Sequence, residues 1–242
     1  MNDKEGADAP AVDDSGSETR TPKAAFLSVE AVALAGLIYA SLWLTANLLF
    51  ARSPTPQPGD DSIVDWYLDD ANQQSLVLAL NLIVISAIAF LWFVAVIRRR
   101  VGERENRFFG TVFVGSALLL AATWIIAAAL VATPALSPYL FGVAPEFTDI
   151  ALFQAAGITV ASVAGTRLSA VFMISTTTVG RMSETFPRYL VIGGYAVGLV
   201  LLLVPLPNEW LAWVFPAWVA VVSIEMLVKR RRIDGSGEAA TD

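Results

Sequence analysis

Apolar residues in this chain come in long blocks, not at the period of a helix or strand that keeps one face in water. Residues 31–51 carry no charge, and neither do 75–97. About twenty such residues cross a hydrocarbon core of about 30 Å as a helix. The blocks predict six spans, at about 24–50, 75–97, 108–132, 150–176, 189–206 and 210–228. The fourth belongs to a longer helical stretch, 148–180, introduced by a proline-bearing loop with Pro134, Pro138 and Pro145. The expected fold is therefore all-α: an integral membrane bundle of six transmembrane helices.

The polar text between the blocks divides the rest. Residues 1–20 are small, polar and acidic, with little to bury, and read as a disordered acidic tail. Thr21-Pro22 reads as a helix start, a capping threonine before a first-turn proline. The membrane domain runs over 21–229, and 230–242 forms a basic-then-polar C-terminal tail. Between spans one and two, DDSIVDWYLDD predicts a short surface helix with Ile63, Val64, Trp66, Tyr67 and Leu68 towards lipid or protein. Its aspartates, Asp60, Asp61, Asp65, Asp69 and Asp70, lack the spacing of a calcium loop and read as a solvated acidic face.

Charge sets the orientation. With the N-terminus inside, the inner segments hold Lys4, Arg20, Lys23, Arg98, Arg99, Arg100, Arg104, Arg107, Arg181, Arg188 and residues 229–232, and the outer loops hold only Arg52. Positive residues favour the cytoplasmic side, so the asymmetry predicts N-in and C-in, a cytoplasmic membrane location and cytoplasmic tails. Trp66, Tyr67, Trp124, Trp210 and Trp213 are then expected at the outer interface as belt residues.

Composition removes much chemistry. Of 242 residues, 56% are hydrophobic, and mean hydropathy is +0.62. The net charge of −6 comes with no basic face for a nucleic acid. There is no cysteine and no histidine. That pattern leaves no disulfides, no iron–sulfur ligation, no histidine-held haem or zinc and no Ser-His hydrolysis. Lys4, Lys23 and Lys229 all lie outside the spans, so no lysine is placed for a retinal. No catalytic residue, cofactor or metal is expected, and the expected partners are the bilayer and a membrane protein or a second copy of the chain.

Two sets of residues remain. Small residues four apart let helices approach closely, and Gly157, Ala161, Gly165 and Ser169 make such a row in span four, with Gly194 and Gly198 in span five and Gly36 and Ala40 in span one. Spans four and five are joined by a short connection, so the row is expected to pack four against five. Arg167 is a charge inside a span, and such a charge needs a partner or a route to the surface. Glu30 and Glu225 are the acids expected at a similar depth, near the cytoplasmic edge, with Glu30 the better partner because Glu225 has Lys229 one turn away. The three form a candidate intramembrane ion pair, read first as a brace, then as a lipid-phosphate contact, then as a gate. At 100° per residue Arg167 lies about 200° from Gly165, outside the small-residue contact. Asn47, Asn81, Ser86 and Gln154 are expected to bridge helices by hydrogen bonds.

The segments VGERENRFFGTVFVGSALLLA and VGRMSETFPRYLVIGGYAVGLVLLLV echo each other, as repeats in transporters do. Phe186-Pro187-Arg188-Tyr189, with Gly193, Gly194 and Gly198, resembles the start of span five in small uncharacterised bacterial six-helix membrane protein families. That resemblance covers about residues 24–228 and implies the six-span fold, but no catalytic residues. The sequence thus points to a non-enzymatic scaffold or accessory subunit, with a small transporter or channel as the alternative.

Overall fold

The computed structural model describes residues 22–60, 62–101, 107–183, 186–204 and 209–238. For 22–32, 99–101, 107–109, 209–210, 212 and 229–238 only the backbone is described. The expected tail at 1–20 lies outside the described residues.

The chain forms helices α1 (Pro22–Phe50), α2 (Ser62–Leu68), α3 (Asp70–Val101), α4 (Arg107–Phe141), α5 (Phe147–Thr159), α6 (Thr166–Met182), α7 (Arg188–Leu203) and α8 (Glu209–Glu238). Between α5 and α6 lies a π-turn, Val160–Gly165, so that 147–182 is one continuous rod. Four segments are long and apolar enough to cross a membrane: Ala33–Phe50, Asp70–Arg98, Gly110–Phe141 and Phe147–Met182. The apolar parts of the last two helices, Arg188–Leu203 and Trp213–Val228, are shorter.

Local sequence sets several boundaries. α1 begins at Pro22, where a missing N–H costs nothing. Asp69 caps α3 by accepting from the N–H groups of Ala71 and Asn72 at 3.0 and 3.1 Å. α7 stops at Leu203 because Val204 precedes a proline and is forced into an extended conformation, φ −65° and ψ 116°. α7 is therefore only about 24 Å long at 1.5 Å per residue.

Two expectations about helix ends need correction. Pro134 and Pro138 lie inside α4, not in a loop. Pro134 and Pro138 lack the N–H groups that would serve the carbonyls of Leu130 and Pro134, a loss that apolar helices packed in a bundle tolerate. The Thr133 hydroxyl donates to the Ala129 carbonyl at 2.7 Å, and Gly142, at φ +68°, closes the helix through an N–H to the Pro138 carbonyl. At the other end of the chain, the α8 backbone continues through the basic cluster to Glu238, into the expected tail. Lys229 and Arg230–Arg232 are good helix formers and carry it on.

α1, α3, α4, α6 and α8 close a ring in that order, and α7 packs outside it on α6, with a small contact to α8. One end of the bundle carries the exposed Arg98, Arg181 and Arg188; the other carries α2. We call these the basic end and the α2 end. The ring encloses a slab of aromatic side chains. Phe172 lies 5.0 Å from Phe90, 5.2 Å from Phe113 and 5.7 Å from Phe215 between ring centroids, and Tyr39 lies 5.2 Å from Phe90. Towards the α2 end, Trp43 meets Trp124 and Trp213 edge-on, each at 5.4 Å.

That arrangement overturns part of the belt reading. Trp124 and Tyr67 are buried, and Trp213 packs on the core. Their apolar area is worth more inside than at an interface, where one face stays wet. Among the described residues the exposed indole is Trp92, at 69%. The side chain of Trp210 is not described. The two echoing segments also diverge: one starts the 35-residue α4 and the other becomes the 16-residue α7.

Candidate functional site

The rod from Phe147 to Met182 carries the polar side chains that stand apart from the ordinary helix surface. It starts with a reciprocal cap, in which Glu146 and Asp149 each satisfy the other's backbone N–H. One helical turn past Ile150, Gln154 is buried beneath α2. Its amide nitrogen lies 2.9 Å from the Tyr67 hydroxyl, 3.1 Å from the Pro54 carbonyl and 3.5 Å from the Ser53 hydroxyl. Ile63, Tyr67, Leu76, Ala135 and Ile150 close an apolar cluster beside it. Asn72 and Gln73 finish the cap by donating to the carbonyls of Trp66 and Tyr67, at 3.1 and 3.0 Å.

α2 is thus the short helix expected from DDSIVDWYLDD, and it turns Ile63 and Tyr67 into protein while Leu68 stays exposed. Its flanking acids have structural tasks. Asp60 accepts from the Ser62 N–H and hydroxyl, and Asp69 caps α3. Asp61 lies outside the described residues. Burial pushes the Tyr67 phenol above its ordinary value of 10.0, and the hydrogen bonds to Gln154 and Ser53 pull it back in part.

Arg167 sits just past the π-turn. A π-turn shifts the hydrogen-bond ladder from four residues to five and leaves carbonyls poorly served. Arg167 Nη1 donates to the Val163 carbonyl at 2.9 Å and lies 3.5 Å from that of Ser162. Nη2 reaches 3.3 Å to the carbonyl of Val204, the residue that ends α7. The guanidinium therefore ties the π-turn of one helix to the last turn of its neighbour.

This placement differs from the expected one in its neighbours. α7 runs antiparallel to α6 from the basic end, so the level of Val204 is the far end of α7. Arg167 stands 14 residues from Arg181, about 21 Å along the helix, a depth the sequence left open, and the acids expected beside it belong to stretches nearer the basic end. Glu225 lies near the opposite, basic end of α8, and among the described residues no carboxylate meets the Arg167 guanidinium. Glu30 belongs to the basic-end half of α1, and its side chain is not described. Arg167 does lie off the small-residue contact, as its angle to Gly165 required.

The glycines do not share one seam. A Cβ on Gly157 would stand 2.5 Å from Val131 Cγ2 and 2.8 Å from the Ala127 carbonyl, and one on Gly165 would stand 3.5 Å from the Trp124 ring. Both contacts are with α4. Gly194 and Gly198 do pack on α6, against Thr177 and Ile174. The expected packing of span four on span five therefore holds for the span-five glycines and fails for Gly157 and Gly165. The reason is length, because α7 ends at the level of Arg167 and cannot reach Gly157. Ala161 is partly buried against the core, and Ser169 is fully buried.

Among the expected bridging residues only Gln154 joins separate elements. Asn47, Asn81 and Ser86 bond carbonyls of their own helices, Trp43, Val77 and Ile83, at 2.9, 2.8 and 2.8 Å. The sequence reading missed a second polar feature. The hydroxyls of Tyr39, Thr166 and Ser169 and the indole nitrogens of Trp43 and Trp124 are buried without a hydrogen-bond partner. Thr166 borders the π-turn, Trp124 packs against its Gly165 and Trp43 against Trp124, while Tyr39 meets the phenylalanine slab. The signal available in the sequence was the pair Ser162 and Thr166, which stand five and nine residues from Gly157 and so fall off the row of four.

Among the described residues no three acidic, cysteine or histidine side chains stand close enough to hold a metal ion. The molecule defined by these features is an all-α apolar bundle with a polar cap at one end and a stapled π-turn in its middle. Comparison with protein-family models, with curated proteins and with solved structures gives no match.

Proposed function

We propose that the chain is a multi-pass protein of the cytoplasmic membrane. It has six crossing segments, both termini in the cytoplasm, and acts as a non-enzymatic scaffold or accessory subunit. One observation carries this reading. A path for a solute needs polar side chains that converge, and Asn81, Gln154 and Arg167 diverge: the first is exposed on α3, the second is sealed under α2, and the third is bound to carbonyls at the end of α7. Between the α2 end and the basic end the ring is filled by aromatic side chains.

The basic residues support the orientation, since Arg98, Arg181 and Arg188 share one end of the bundle. α7 is short for a span, but a bilayer thins locally or a helix end is buried in protein at modest cost. The alternative, a small transporter or channel, draws on the buried, unpartnered hydroxyls and indoles.

The absence of cysteine makes topology directly testable. Single cysteines at Thr55, Pro207 and Ser236, probed in intact cells with an impermeant maleimide, should label at 55 and 207 and stay silent at 236 until lysis. Labelling of 207 only after lysis would reject six crossings. For function, the purified chain in sealed vesicles should pass ions and small solutes no faster than empty vesicles, and cross-linking in native membrane should capture a stoichiometric partner. A flux that rises with protein content would reject the scaffold in favour of the transporter.

A further inference from the structure

Arg167 is the one basic residue between Arg107 and Arg181, and its surroundings differ from those of the end clusters. A guanidinium has five N–H donors. The carbonyls of Ser162, Val163 and Val204 take three, leaving Nε–H and one N–H of Nη2. The carbonyls fix the fork but carry no formal charge, and the C-terminal dipole of α7 offsets only part of the cation. The side chain is partly buried, not sealed. Beside it the surface is apolar and open, with Val163 39% exposed, Val200 56% and Leu203 67%.

Depth completes the picture. If Arg98, Arg181 and Arg188 mark one boundary of a hydrocarbon core about 30 Å thick, Arg167 lies about 21 Å across it. An arginine side chain extends far enough from there to reach the headgroups of the opposite leaflet. A charge oriented by the protein, met by no carboxylate among the described residues and flanked by apolar surface, fits an amphipathic anion. We infer that Arg167, preset by the π-turn and the end of α7, binds the phosphate of an anionic phospholipid whose acyl chain runs towards the middle of the bundle past Leu203 and Val200. This site rests on the membrane reading above, but not on the scaffold role.

The test uses the full chain in mild detergent, in an R98Q/R99Q/R100Q background that lowers lipid attraction at the basic end. Native mass spectrometry counts the lipid retained after incubation with phosphatidylglycerol or phosphatidylcholine. One phosphatidylglycerol should be retained, with a preference of about fivefold, the worth of roughly one basic side chain near anionic lipid. Arg167→Gln should abolish the preference, and Arg167→Lys, a point charge without the fork, should keep part of it. Because Arg167→Gln also frees three carbonyls, Leu203→Glu serves as the second variant: it sets a carboxylate beside the site, leaves the carbonyl contacts in place, and should remove the preference too. Equal retention of the two lipids by the parent protein overturns the proposal whatever the variants do. If millimolar inorganic phosphate displaces the lipid completely, the site takes a free anion and the lipid assignment falls. Failure here with correct cysteine labelling would leave the topology standing.

Discussion

The surroundings of Gln154 and of Phe172 lie about 27 Å apart on one rod, and both are buried, but they are held by different means. Around Gln154, a single amide reaches back across 87 and 100 residues of chain to hold the end of α2 and the loop after α1. Around Phe172, rings from α3, α4 and α8 meet from three sides, and the contact is spread over all of them. The difference concerns how damage travels. Losing one directional bond loosens one flap, whereas losing one ring empties a space that five helices share.

The largest effect should follow from Phe172→Ala. Truncating a buried phenylalanine costs about 3–5 kcal/mol, and here it should lower the thermal midpoint of the whole bundle in detergent. A loss no greater than that of a cap mutant would erase the distinction between the regions. Next comes Gln154→Leu, which leaves the Tyr67 hydroxyl and the Pro54 carbonyl without their donor, a cost of about 1–3 kcal/mol. Its mark should be local: faster protease cleavage within 53–60 before any change in the helices. Uniform loss of helix signal at the same temperature would show that the cap and the slab unfold as one.

The smallest effect sharpens the comparison by pH. Tyr67→Phe should cost about 1 kcal/mol. In the parent protein the folded phenol holds its proton more tightly than the unfolded one, because burial disfavours the phenolate. Below pH 10.0 both states are protonated and stability is flat in this group. Above it the unfolded chain ionises first, so stability falls with rising pH until the folded phenol also titrates. Cap opening should therefore accelerate above pH 10, and Tyr67→Phe should remove that acceleration. An unchanged alkaline profile in the variant would assign the effect to another group.

Much of this architecture was legible in the sequence, for identifiable reasons. Uncharged blocks located α1, α3 and α4, because length and apolarity alone set what a bilayer-sized helix needs. DDSIVDWYLDD gave α2, because its apolar residues recur at helical spacing between capping acids. What stayed hidden depended on neighbours. The spacing of Gly157 and Gly165 marks a close approach but not its partner, which Val204-Pro205 decides by ending α7 early. Trp124 and Tyr67 look like interface residues until α1 and the rod close over them. Arg167 was recognised as costly where it stands. Its solution, three carbonyls and no acid among the described residues, required the π-turn, which leaves almost no mark in composition. The buried serine and threonine hydroxyls were unreadable for a related reason: an apolar rod with a few small polar residues looks the same whether they face lipid, core or each other.

The π-turn also works as a phase shift. Gly157 is buried, and the next buried position is Ser162, five residues on, after which Thr166 and Ser169 resume the ordinary helical interval. One surplus residue has been absorbed, and everything beyond it is rotated by about 100° relative to an unbroken helix. Removing any single residue between Val160 and Gly165 would restore a regular helix. Because the bulge already absorbs that surplus residue, Phe172, Thr176 and Gly180 would go on facing the ring, as would Ile150 and Gln154. The two halves of the rod are thus spelled in different frames, and the bulge is what lets both face the ring. A one-residue deletion there should therefore be forgiven far more readily than one elsewhere on the rod, even though nothing in those six side chains alone would suggest it.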